Sequence, residues 1–145
     1  MLIAWLNFMS LVLDSSVTMA LIYGEETTSA VQFVWDEVRH QGAWAPLLWK
    51  WEVANVLQTG IRKRRHDAAF RDDTLADLAR LPIRLDSGMD PLIISACVRL
   101  SDRHLLTIYD ALYLELAMRL GLPLATLDAD LHTAAIAEKV AVLGI

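Results

Sequence analysis

Cysteine is almost missing from this chain. Cys97 stands alone among 145 residues, so no intrachain disulfide can form and a structural zinc site built on several thiolates is excluded. Its apolar neighbours mark it as a small buried side chain. Glycine and proline are also scarce, at six and four residues, while hydrophobic residues make up 55%. That balance excludes a disordered or low-complexity chain and leaves room for one well-packed domain. There is no excess of basic charge: 13 Lys and Arg face 18 Asp and Glu, a formal net charge of −5. This is the wrong sign for holding nucleic acid through a broadly basic surface. Carboxylates gathered around divalent cations offer another route, because the filled site presents positive charge to a phosphate.

A long apolar run is missing as well. The most apolar stretch, residues 1–13, is interrupted by Asn7 and Ser10 and ends at Asp14, with neither a basic leader nor a small-residue cleavage site. Residues 1–10 therefore read as an N-terminal extension or the start of a first strand, with Met9 as a second candidate start of translation. Residues 11–145 read as a single domain in a reducing, cytoplasmic setting, with no membrane partner. The chain has no GxSxG or GxxxxGK[ST] motif, and His40, His66, His104 and His132 lack zinc-ligand spacing. His104 is expected to be solvent-exposed.

What is present is an alternation of short apolar runs with longer amphipathic stretches. Strands are predicted over residues 11–13, 44–46, 83–85, 124–126 and 140–143, and helices over 17–23, 27–40, 48–63, 67–80, 91–102, 107–120 and 130–138. Gly24, Gly42 and Gly121 supply stops, and Asp90 followed by Pro91 supplies a start. Strands joined by helices predict an α/β fold, a three-layer sandwich with a central, mainly parallel sheet of about five strands. Ligands of such sheets bind beyond the carboxyl ends of the strands.

Four acids fall where that rule matters. Asp14 directly follows the first strand, and Asp128 follows the fourth, although each can also serve simply as a helix cap. Glu52 sits in WKWEVANVL among Trp49, Trp51, Val53 and Val56; a lone carboxylate there must be paired, metal-bound or turned outward. Asp110 opens a largely apolar helix, where the backbone amides favour its charge. Gathered at one edge, these four would repel without cations, and all-oxygen ligation suits Mg²⁺ or Mn²⁺, one or two ions per site. Asn55, Thr126 and Asp130 are accessory candidates, and so is Ser16, although Ser15 and Ser16 read first as caps. Glu115 is expected to be exposed or salt-bridged, and Tyr109 and Tyr113 to pack with their hydroxyls near the surface.

The one dense basic run is Arg62, Lys63, Arg64 and Arg65, ending the helix that carries Glu52. It reads either as a solvated helix end or as a clamp on RNA phosphates. Lying about 15 Å along the axis from Glu52, it can reach only flanking backbone. Arg99, Arg103 and Arg119 are candidates to widen this track. At least two of Trp44, Trp49 and Trp51 are expected in the core or an interface, and Trp35 is a candidate for a partner interface.

The stretches VLDSSV around Asp14, WEVANVL around Glu52, LTIYDALYLELA around Asp110 and LATLDADL around Asp128 strongly resemble the PIN-domain family, and within it the VapC-type toxins. The resemblance covers essentially residues 11–143. It implies that Asp14, Glu52, Asp110 and Asp128 match the family's acidic cluster, with Ser16, Asn55 and Thr126 as its polar companions. It also implies Mg²⁺- or Mn²⁺-dependent cleavage of RNA, leaving 5′-phosphate and 3′-hydroxyl ends. The implied partners are a homodimer mate, a small VapB-like antitoxin, and promoter DNA reached only through the antitoxin. The apolar extension departs from the family pattern. Two alternatives remain: a related nuclease acting on DNA or structured nucleic acid, and a catalytically silent binding domain. A receiver domain would need a lysine that is not here, and a haloacid-dehalogenase-like phosphatase would need an aspartate where Ser16 stands.

Overall fold

Leu11, Val12 and Leu13 form a strand, β1, whose side chains are all buried. A run with no polar alternation can be stable only if both faces are covered, so it belongs in the middle of a sheet. The computed structural model describes residues 10–24 and 27–145, and the expected extension at residues 1–9 lies outside the described residues. Strands β2 (Ala43–Pro46), β3 (Ile83–Asp86), β4 (Leu124–Ala125) and β5 (Val142–Leu143) join β1 in one five-stranded sheet of order β3-β2-β1-β4-β5. Every pairing is parallel. Val12 aligns with Trp44 on one side and Leu124 on the other, which makes β1 the central strand.

Seven helices, among the described residues, flank this sheet: α1 (Ser15–Tyr23), α2 (Ser29–Gln41), α3 (Leu47–Arg62), α4 (Ala68–Ala79), α5 (Pro91–His104), α6 (Ile108–Leu120) and α7 (Ala129–Ala137). The α/β sandwich read from the sequence is the architecture found. Side-chain caps set several helix starts: Thr28, Asp67, Asp90, Thr107 and Asp128 each accept a backbone amide from the first turn. Helix α6 buries Ala111, Tyr113, Leu114, Glu115, Leu116 and Ala117 and packs against β1, β2 and β4. Its apolar composition all round is that of a core helix.

The differences from the sequence reading have local causes. Helix α1 begins at Ser15, two residues early, so Ser15 and Ser16 lie within the helix rather than capping it. Strand β5 starts at Val142 because Lys139 adopts positive φ and Val140 is still bonded back to Ala135. Trp35 is a core residue at 1% exposure, not an interface residue. Its neighbour in type, Trp49, is also buried and donates from Nε1 to Thr18 Oγ1 at 3.0 Å. Trp51 is 71% exposed. His104 is not exposed, because it is held by Glu138, which also pairs with Arg103.

Cys97 is buried on α5, and burial first, then the Glu115 charge, pushes its thiol up to about 11. The folded chain should therefore resist iodoacetamide at pH 8 and react once unfolded in urea. Rapid stoichiometric labelling of the native chain would contradict the packing described here.

Candidate active site

Two hydroxyls and one carboxylate join the two central strand ends. Ser16 Oγ donates to Asp14 Oδ2 at 2.6 Å, and Thr126 Oγ1 donates to the same oxygen at 2.8 Å. Each hydroxyl also accepts a backbone amide from the chain after β4, Leu127 N on Ser16 and Asp128 N on Thr126. A hydroxyl has one proton to give, so accepting these amides leaves both protons for Asp14. This stitching ties the β1–α1 turn to the β4–α7 turn and so sets Asp128 beside Asp14. Neither hydroxyl uses Asp14 Oδ1.

Asp14 occupies the cap position of α1, yet its side chain makes no capping bond. The cap reading is therefore the wrong one for Asp14 and for Ser16. Asp14 is 4% exposed, and its pKa is raised: burial and the nearby Glu52 charge outweigh the hydroxyl bonds that favour the anion. Asp128 does cap α7, with Oδ1 accepting Leu131 N at 2.8 Å, which leaves Asp130 without that role.

Glu52, on α3, is held from α6. Tyr113, fully buried, donates its hydroxyl to Glu52 Oε1 at 2.5 Å, and the nearby Ser15 hydroxyl also favours the Glu52 anion. Burial raises the Glu52 pKa, and the Asp110 charge adds to it. Asp110 is raised by burial first, then by Asp128, Asp14 and Asp130. Asp110 thus lies within electrostatic reach of Glu52, Asp14, Asp128 and Asp130, and Asp14 within reach of Glu52. None of the four pairs with a Lys, Arg or His among the described residues. No group of three or more His, Cys, Asp or Glu side chains among the described residues is closed up into a set that could hold a metal ion.

Tyr113 and Ser15 are the residues the sequence reading missed. Tyr113 was expected to place its hydroxyl near the surface and instead buries it on Glu52. The available signal was its spacing, three residues after Asp110 and so on the same face of α6. Asn55 is exposed one turn beyond Glu52. Glu115 forms the expected salt bridge, to Arg119 at 2.8 Å, while 7% exposed. Arg119 also pairs with Asp86, and Arg99, Arg103 and Arg119 line a cleft of their own between α5 and α6. The basic run Arg62, Lys63, Arg64 and Arg65 is exposed at the far end of α3.

The architecture is that of a small parallel α/β sandwich with acidic residues at the carboxyl edge of its sheet. The PIN domain family model matches residues 11–137, and the chain belongs to that family. Among solved structures it is similar to PAE2754 from Pyrobaculum aerophilum, at 25% identity and TM-score 0.69 over 92% of this chain and 83% of that one. It shares the fold of FitAcB from Neisseria gonorrhoeae, at 15% identity and TM-score 0.65 over 92% and 96% of the two chains. The same fold appears in a toxin-antitoxin complex from Klebsiella pneumoniae, at 16% identity and TM-score 0.59 over 82% and 87%. Comparison with curated proteins finds no match.

The raised acids carry a stability consequence. A carboxyl whose folded pKa lies above its unfolded value contributes stability that is complete below the unfolded pKa and is lost as pH rises through the folded one. Asp14→Asn should therefore raise the melting temperature of the cation-free protein at pH 7.5 and change it much less at pH 4.5. A variant equally destabilised at both pH values would show that Asp14 is not under electrostatic strain.

Proposed function

We propose that this chain is a Mg²⁺- or Mn²⁺-dependent endoribonuclease of the VapC type, the toxin of a toxin-antitoxin pair. The observation that carries the reading is a set of mutually repelling carboxylates, one nearly buried, with no cationic side chain among the described residues to neutralise them. An all-carboxylate donor set fits a hard divalent cation. Asp14, Glu52, Asp110 and Asp128 would hold it, with Asp130 as an accessory. When bound, one or two such ions supply Lewis acidity toward a phosphodiester and a nucleophile at neutral pH.

The chain's own residues supply position. Ser16 and Thr126 hold Asp14 through Oδ2, while Tyr113 holds the Glu52 carboxylate. In this reading Asn55, exposed one turn beyond Glu52, hydrogen-bonds the nucleic-acid strand beside the cut. The toxin-antitoxin complex that shares this fold supports a small antitoxin as partner, and FitAcB supports the same grouping at the level of the fold. A homodimer, and promoter DNA contacted only through the antitoxin, belong to the same reading. No described helix is long and apolar enough to cross a membrane.

The purified chain should cut a labelled RNA with Mg²⁺ or Mn²⁺, leave 5′-phosphate and 3′-hydroxyl ends, and stop with chelator. Asp14→Asn should abolish cutting while folding and antitoxin binding persist. Equal cleavage by that variant would reject the assignment, and preferential cutting of the matched DNA would favour a DNA-processing nuclease. Tyr113→Phe, which frees Glu52, should lower metal affinity or activity by about 10–100-fold with the fold intact. Unchanged Mn²⁺ affinity and rate would remove Tyr113 from the site.

A further inference from the structure

Glycine inside a helix is unfavourable, yet Gly60 lies in the last turns of α3 and is buried. A Cβ at that position would run into Nε2 of His66. The imidazole is not free to swing away: Nε2 is 3.2 Å from the Tyr23 hydroxyl, and the ring packs 4.8 Å from Phe70. Gly60 is therefore the notch that lets the chain after α3 fold back onto it. Arg64 takes a positive φ of 57° in that reversal, and Arg65 N bonds back to the Gly60 carbonyl at 2.8 Å. The Arg65 guanidinium then lies 3.6 Å over the Tyr23 ring.

The fold-back forms one wall of an open cleft of about 340 Å³, lined on the α3 side by Asn55, Thr59 and Lys63 and closed by Tyr23 and Arg65. Helical spacing places Glu52, Asn55, Thr59 and Lys63 along one stripe of α3, at successive steps of three, four and four residues. The stripe runs about 16 Å from Glu52 to Lys63. It changes from acidic at the metal-holding end, through an amide and a hydroxyl, to basic. That sequence of groups matches a single nucleic-acid strand leaving an acidic site neutralised by cations, with its backbone phosphates further out.

Resting on the nuclease reading above, we propose that this cleft, held open by the Gly60–His66 contact, binds the sugar-phosphate backbone of single-stranded RNA flanking the cut. Asn55 and Thr59 donate hydrogen bonds to backbone oxygens, and Lys63 faces a phosphate. Recognition here is independent of sequence, because phosphate contacts set register and do not read bases. The Tyr23 ring is covered by Arg65, so it shapes the cleft rather than stacking on a base.

The test is fluorescence anisotropy with a labelled oligouridylate of about ten nucleotides, in EDTA so that no strand is cut. Lys63→Ala should weaken binding by about fivefold and make the salt slope shallower by about 0.7, one phosphate's worth on a single strand. Gly60→Ala should weaken binding and also lower the melting temperature. Adding His66→Ala should restore the melting temperature without restoring RNA affinity. Wild-type affinity and salt slope in Lys63→Ala, or no RNA binding by the wild-type chain, would overturn the proposal. So would stability losses for Gly60→Ala and His66→Ala that simply add. Mn²⁺ uptake is measured alongside: its absence in the wild-type chain would sink the nuclease reading, while the anisotropy result would still decide the cleft.

Discussion

A carboxylate at the end of the central strand, shut away from water and without a cationic partner among the described residues, is the constraint around which this molecule is arranged. Asp14 is set by β1, whose three side chains are wholly buried, and it is oriented by hydroxyls from α1 and from the chain after β4. Burial pushes its proton affinity up and the hydrogen bonds push it down. The neighbouring Glu52 tips the balance further toward the neutral form. In water alone this is an unfavourable arrangement. The covered sheet and the core helix α6 supply the stability that sustains it.

The hydroxyl stitching explains why distant segments arrive at one place. Thr126 immediately follows the strand beside β1, so a parallel register that aligns Leu13 with Ala125 brings Asp14 and Asp128 to the same edge. Helix α6 then does two jobs with one face. Its start carries Asp110 and, one turn on, Tyr113 reaches across to Glu52 on α3. The acids thus come from four separate elements; Asp14 and Glu52 are each held by a hydroxyl from another element, while Asp128 is held by its own cap bond.

Much of this was legible in the residues. The apolar run 11–13, the glycine stops and the Asp90-Pro91 start gave the element order, because hydrophobic period and cap chemistry are local. The four acids were legible from their places at strand ends and helix starts. What escaped was the meaning of groups whose partners are remote in sequence. Ser15 and Ser16 have the composition of caps, and only the return of β4 alongside β1 turns the Ser16 hydroxyl onto Asp14. Tyr113 looks like packing until α3 supplies a carboxylate opposite it. His104 was misjudged for the same reason, since a Glu138 partner 34 residues away is a tertiary fact. Gly60 gave no signal, because its reason is a histidine folded back from beyond the helix.

In the proposed function a divalent cation neutralises the strained carboxylates together. Anomalous diffraction from crystals grown with Mn²⁺ tests it most directly. The account predicts one or two manganese peaks at the carboxyl edge of the sheet, ligated by Asp14 and by oxygens from Glu52, Asp110 or Asp128, with Tyr113 still on Glu52. A fully ordered site with no peak at millimolar Mn²⁺, or manganese bound elsewhere while these four side chains stay apart, would contradict it.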